Sequence, residues 1–200
     1  MKKFLSYFIY WLIQCTWGLP LTLVGAITAL ILLITGHKPK LLGPTVYFEV
    51  GENWGGLELG GFFLCCRNAS PHTKYHECGH GIQNMIWGPL MPFVICIPSA
   101  VRYWLRKMPT RLKKSLFNLF FLLGALVITT LLACITGPLL HWHWVTIGIE
   151  ILRLYFTIIS IWLTLIEIPK YNKGYVEYDS IWFESQATKL GTKIYKKKED

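Results

Sequence analysis

The sequence predicts a mainly α-helical membrane protein. Two transmembrane helices, two further hairpin or re-entrant helical segments, a small β-hairpin and one helix carrying the pattern H-E-x-x-H are expected. Three observations predict this. Of 200 residues, 53% are apolar and only 16% charged, against about 25% charged in ordinary soluble domains. The apolar residues gather in charge-free runs long enough to span a bilayer. Glycine and proline interrupt some of these runs and spare others. The composition excludes a disordered chain and a nucleic-acid-binding domain built on a dense charged surface, so no nucleic-acid partner is expected despite a net charge of +9. The partner expected from composition is the lipid bilayer.

The chain, 1–200, is expected to form a single membrane-embedded domain. Its first segment, 4–36, follows Lys2-Lys3 as a signal peptide would. It is far longer than a signal core of about 7–15 residues, and no A-x-A-like site ends it, so it is expected to stay in the mature protein. Gly18-Leu19-Pro20 breaks it into halves too short to span singly, which predicts a kinked helix or a helical hairpin. Residues 41–67 read as a β-hairpin, with extended runs at 45–50 and 57–66 around a turn-rich stretch, Gly51-Glu52-Asn53-Trp54-Gly55-Gly56. Ser70-Pro71 supplies an N-cap and a first-turn proline, so a helix should run from there to about Trp87. The segment 71–101 continues through Pro89, Pro92 and Pro98, which argue against one straight spanning helix.

Residues 115–140 and 144–168 predict two transmembrane helices, the second ending at Pro169 and carrying Glu150 and Arg153 as an i, i+3 ion pair. In the region 174–191, Ser180 to Leu190 should be helical with Gly191 as C-cap. The tail, 192–200, is basic, and Lys196-Lys197-Lys198 suits contact with anionic lipid. Cys15, Cys65, Cys66, Cys78, Cys96 and Cys134 include no C-x-x-C pair, which predicts small buried side chains rather than disulfides or a thiolate metal site. Charge decides the topology. If 4–36 and 81–101 both re-enter, 19 of 20 Lys and Arg lie on one side, with only Arg153 apart. The positive-inside rule then makes both termini of the integral membrane protein cytoplasmic.

His76-Glu77-Cys78-Gly79-His80 is the pattern that carries chemistry. On a helix, residues i and i+4 share a face, so two imidazoles can bind one tetrahedral Zn²⁺ at about 2.0–2.1 Å. Glu77 then stands beside the metal, where its carboxylate can take a proton from water and pass it to a leaving amine. Gly79 and Gly81 are expected to leave room on the metal face. Gln83 and Asn84 fall one turn on, to line a cleft or face water. A third ligand must come from elsewhere. Gln83 and Ile86 occupy the positions where a metzincin needs Gly and His. His72 is on the same helix, and His141 and His143 fall in the outer loop. Glu184 fits best, on a later helix on the same side, with Glu177 and Asp179 as alternatives. Tyr175 and Tyr178 are candidate oxyanion donors or interfacial aromatics.

His76-Glu77-Cys78-Gly79-His80 followed by Glu184-x-x-Ala187 resembles the membrane gluzincin metallopeptidases, the group of the CAAX-prenyl protease and the bacterial heat-shock membrane protease. More closely, the chain is similar to a family of small bacterial membrane proteins. That likeness rests on Leu57-Glu58-Leu59-Gly60, His76-Glu77-x-Gly79-His80-x-x-Gln83, Gly88-Pro89-Leu90, Ile97-Pro98-Ser99 and Glu184-x-x-Ala187-x-x-Leu190-Gly191. The resemblance implies a zincin-like helix, with His76, His80 and Glu184 as zinc ligands and Glu77 as the catalytic carboxylate. It also implies that the strand before the helix can hold an extended peptide. Thr188 stands where the gluzincin pattern has an aspartate that hydrogen-bonds a ligand histidine. The expected function is hydrolysis of peptide bonds in membrane-associated substrates at the cytoplasmic face, with a peptide or membrane-protein substrate expected only through the motif and this resemblance. The alternatives are a zinc-binding interaction or immunity module without catalysis, and a membrane protein without metal. A site-2-type protease would need a later intramembrane Asp, and none occurs before Asp179.

Overall fold

Proline and glycine set most element boundaries in the structure, a computed structural model that describes residues 2–140, 143–174 and 176–195. The fold is mainly helical with one small sheet. It forms two compact units. One holds the chain up to Ile97 together with the described residues from Glu177 onward, and the other is Pro98–Val176.

In the first unit the long apolar run becomes α1 (Lys2–Gln14) and α2 (Leu19–Ile34), bent by 100°. The bend falls at Gly18, where a Cβ would lie 2.5 Å from Asn84 Nδ2. Pro20 fits the first turn of α2, where backbone N–H groups have no helical partner. A buried amide fixes the bend. Gln14 Nε2 donates to the carbonyls of Gly60 (3.3 Å) and Gly81 (2.8 Å). Its Oε1 accepts from Asn84 Nδ2 (2.6 Å) and Thr22 Oγ1 (3.1 Å). All four hydrogen-bonding positions of the amide are used.

The expected hairpin is a four-stranded mixed sheet, and its pairing differs from the expectation. Its strands are β1 (Lys40–Leu42), β2 (Thr45–Glu49), β3 (Gly56–Leu59) and β4 (Phe62–Cys65), in the order β1-β2-β4-β3. The run 57–66 is itself a hairpin, folded at Gly60-Gly61, with Gly60 at φ +73°. A two-residue loop of this kind needs a residue that tolerates positive φ. The turn also abuts α1 and α2, since a Cβ on Gly60 or Gly61 would meet Thr22 or Trp11. With 57–66 split in two, β2 pairs in parallel with β4, Val46 opposite Phe62, and β3 is left at the edge.

α3 (Pro71–Trp87) matches the expected helix. Ser70 Oγ accepts from Thr73 N–H at 3.1 Å, and Gly88, at φ +51°, ends it. One face packs Tyr75 and Cys78 on Tyr47, Phe63 and Cys65 of the sheet. A second core joins Leu21, Leu59, Met91, Ile95 and Phe183. The last helix, α8 (Trp182–Tyr195), passes through Gly191 rather than ending there. Gly191 lacks a side chain for another reason: a Cβ would lie 1.7 Å from the Tyr75 carbonyl oxygen on α3. All six cysteines carry free thiols.

In the second unit, α4 (Ile97–Lys107) precedes a helical hairpin of α5 (Arg111–Leu140) and α6 (His143–Trp162). α6 does not stop before Pro169. A π-turn, Leu163–Glu167, leads it into α7 (Ile168–Asn172), with Ile168 N–H bonded to the Leu163 carbonyl. The wider turn absorbs the hydrogen bond that proline cannot make. Arg102 Nε donates to Glu167 Oε2 at 3.0 Å, and both side chains are buried. Asn118 Nδ2 holds α5 to α6 through the Ser160 carbonyl and Thr164 Oγ1. Arg153 pairs with Glu150 and also reaches Thr129 and Thr130. Arg111–Thr136 and His143–Asn172 are long and apolar enough to cross a membrane. The bent pairs, Phe4–Gln14 with Leu19–Ile34 and Pro71–Leu90 with Pro92–Lys107, have the composition of broken spans or re-entrant loops. His141, Tyr175 and the Lys196-Lys197-Lys198 cluster lie outside the described residues.

Replacing Gln14 by Leu roughly keeps the volume and removes the hydrogen bonds that Asn84 Nδ2, Thr22 Oγ1 and the Gly60 and Gly81 carbonyls make to the amide. The variant should lose about 1–3 kcal/mol of stability, read as a lower unfolding midpoint in detergent.

Candidate metal centre

α3 aims His76 and His80 to one side, and α8 brings Glu184 to meet them. The three form a buried group able to hold a metal ion. Glu184 Oε2 lies 3.1 Å from His76 Nε2 and 3.3 Å from His80 Nε2, and the two Nε2 atoms are 3.1 Å apart. Donors bound tetrahedrally at about 2.0–2.1 Å stand about 3.3 Å apart, so the triangle has the size of one face of such a site. The backbones approach closely enough because α3 has Gly79 at the crossing. A Cβ there would lie 1.9 Å from the Ala187 carbonyl oxygen. Gly79 therefore makes room for α8 and not for the metal. Gly81 likewise faces the Tyr10 hydroxyl and the Gly60 carbonyl.

Hydrogen-bond accounting fixes what the two imidazoles offer. Thr188 Oγ1 donates its single proton to Asp179 Oδ2 at 2.6 Å. It can only accept at its 2.8 Å contact with His76 Nδ1, which therefore carries the hydrogen. Gln83 Nε2 donates to the Phe183 carbonyl and to Gln186 Oε1, both at 2.8 Å. Gln83 Oε1 accepts from His80 Nδ1 at 2.7 Å. In their neutral form both rings would then turn an Nε2 lone pair toward the carboxylate of Glu184. Three electron pairs converge. A proton could bridge only one pair of them, whereas a metal ion satisfies all three. The two imidazoles also stand at ion-pair distance from Glu184, so a protonated ring would hold the carboxylate by charge as well.

Glu77 is buried on the face of α3 toward β3, with its carboxylate against Gly56, where a Cβ would lie 2.4 Å from Oε1. Burial is the main cause that pushes its carboxyl up to about 7; Glu184 adds to the rise and His76 opposes it. A carboxyl that titrates near neutrality is suited to accept and return a proton. Glu58, on the same face of β3, is a buried acid that the motif does not reveal. Its two oxygens are sealed from solvent and make no hydrogen bond of normal geometry. Burial pushes this carboxyl well above its ordinary range, Glu77 pushes it further, and the Gly60 backbone opposes both.

The remaining candidates separate clearly. His72 and Glu177 are exposed and stand outside the group of three. Asp179 serves Thr188. The Tyr178 ring meets His76 edge-on, with centroids 6.1 Å apart. Gln83 and Asn84 do not face water; each is buried, the first under His80 and the second on Gln14 and Gly18. Sequence reasoning missed the roles of Gln14, Gly56 and Glu58. An i, i+3 spacing from His80 was the one local signal for Gln83.

Two outcomes test this geometry. Gly79→Ala should add about 1 kcal/mol of helix propensity, yet it should destabilise the protein and weaken metal binding, because the methyl displaces α8. Glu58 contributes stability that is fully present below the unfolded value near 4.5 and is lost as pH rises through its raised folded value. Glu58→Gln should therefore unfold like wild type at about pH 4 and be the more stable form at about pH 8. No family model, no curated protein and no solved structure matches the chain, so the geometry of His76, His80 and Glu184 carries the functional reading.

Proposed function

We propose that the chain is a membrane-embedded zinc metallopeptidase of gluzincin type that hydrolyses peptide bonds of membrane-associated substrates. The observation that carries this reading is the convergence of the two Nε2 lone pairs and one Glu184 oxygen beside Glu77. Two imidazoles and one carboxylate suit Zn²⁺, and three protein ligands leave a coordination position open. A zinc ion held there would polarise a carbonyl and acidify water.

The chain's own groups do the rest. Glu77 would accept a proton from the attacking water and return it to the leaving amine. Thr188 and Gln83 hold the two rings in the tautomer that presents Nε2. β3 is an edge strand beside α3, and its free side can align an extended peptide by strand addition. α5 and α6–α7 are the spans that anchor the chain. The concentration of Lys and Arg outside them supports a cytoplasmic placement of the site and both termini, at a bacterial inner membrane. The Thr188 departure does not favour the non-catalytic alternative, since its hydroxyl still connects His76 to a carboxylate.

Metal analysis of detergent-purified protein should find about one zinc per chain, lost in both His80→Ala and Glu184→Ala. Glu77→Gln should keep the zinc and lose peptide cleavage by at least about 100-fold. Cleavage undiminished in Glu77→Gln would remove the catalytic assignment, and a wild type that takes up no zinc would remove the enzyme reading.

A further inference from the structure

We infer that Asp179 is a positioning residue of the metal centre, acting on His76 through the Thr188 hydroxyl; this rests on the metal-binding reading proposed above. Histidines that bind metals commonly donate their other ring N–H to a carboxylate, which fixes the tautomer and raises the basicity of the liganding nitrogen. His76 has no carboxylate at that position, because residue 188 is threonine. The structure supplies one from a different element. Asp179 lies in the 3-10 turn Tyr178–Ser180, just before α8. Its Oδ2 accepts from Thr188 Oγ1 at 2.6 Å, and Thr188 Oγ1 accepts from His76 Nδ1 at 2.8 Å.

The direction of the relay follows from the valence of its members. An ionised carboxylate only accepts, a hydroxyl has one proton to give, and that proton goes to Asp179. His76 must then donate from Nδ1, which in the neutral ring leaves the Nε2 lone pair for the site. Without Asp179, the Thr188 proton is free to turn toward Nδ1. The ring could then take the other tautomer, with its hydrogen on Nε2, where it would point at Glu184 and block a metal. The same turn carries Tyr178, whose ring edge stands beside His76. One short element therefore sets both the protonation pattern and one wall of this ligand.

The test uses the full chain in detergent with zinc as the probe. Zinc affinity is measured by competition with a chelating indicator, and the His76 tautomer in metal-free protein by ¹⁵N NMR of the imidazole. Asp179→Asn and Thr188→Val should each weaken zinc binding by about 10–100-fold. The double variant should be no weaker than either single one, since both break the same relay. Thr188→Ser, which keeps the hydroxyl, should bind like wild type. The wild-type ring should show hydrogen on Nδ1, and Asp179→Asn should shift part of the population to Nε2.

Additive losses in the double variant would overturn the relay, as would an Asp179→Asn protein with wild-type affinity while His76→Ala loses zinc. In both cases the metal site itself would stand. A wild type that binds no zinc, yet whose tautomer follows Asp179, would instead overturn the metal reading and the metal role of the relay with it.

Discussion

The site depends on a contact between two backbones. Gly79 on α3 and Gly191 on α8 let main-chain atoms meet where any side chain would keep the helices apart. Ala187, buried between them, presents its carbonyl to Gly79. At that separation a short carboxylate such as Glu184 reaches both histidines with one oxygen. Move α8 outward by a methyl group and the carboxylate no longer closes the triangle. The two glycines cost helix propensity, about 1 kcal/mol each in a helix interior, and the close crossing is what they give in return.

The electrostatics of the first unit follow from the same crowding. Glu58, Glu77 and Glu184 are all buried there, and the buried bases of that unit among the described residues are the imidazoles of His76 and His80. Burying acids without a counter-charge is unfavourable, and the raised carboxyls of Glu58 and Glu77 record it. A metal ion held between His76, His80 and Glu184 would add positive charge to this interior. The surplus of bases in a chain of net charge +9 sits elsewhere. Lys107, Arg111 and Lys113 are exposed around the start of the first helix able to cross a membrane. There they suit anionic headgroups rather than the metal site.

Much of the helical architecture was legible in the sequence because it is local. Ser70 and Pro71 mark the start of α3 through groups that act on the next few residues, and Gly88 marks its end. The two long charge-free runs read as spans because length and apolarity suffice. The motif places His76, His80 and Glu77 on one helix by spacing alone. Glu184 was accessible only through its partial pattern with Ala187 and by elimination of other acids. The errors arose where distant chain segments decide. The run 57–66 alternates like one strand, but Thr22 and Trp11 press on Gly60 and Gly61, and the turn falls there. Gly191 looks like a helix stop until Tyr75 is seen against it. Pro169 looks like an end until the π-turn before it is seen.

The sequence by itself determined which residues could do chemistry: two imidazoles one helical turn apart, a carboxylate beside the first, and apolar runs that suit a bilayer. These follow from residue type and spacing, which are properties of a short stretch of chain. The tertiary structure alone decided how those groups are tuned. It brought Glu184 to the histidines, routed His76 through Thr188 to Asp179, set Gln83 under His80, and sealed Glu58 beside Glu77. Apart from Gln83 and His80, three residues apart on α3, these need segments distant in the chain, up to 112 residues for His76 and Thr188. Hydrogen bonds of about 2.8 Å and backbone contacts that admit no methyl depend on packing. No periodicity within a single segment encodes them.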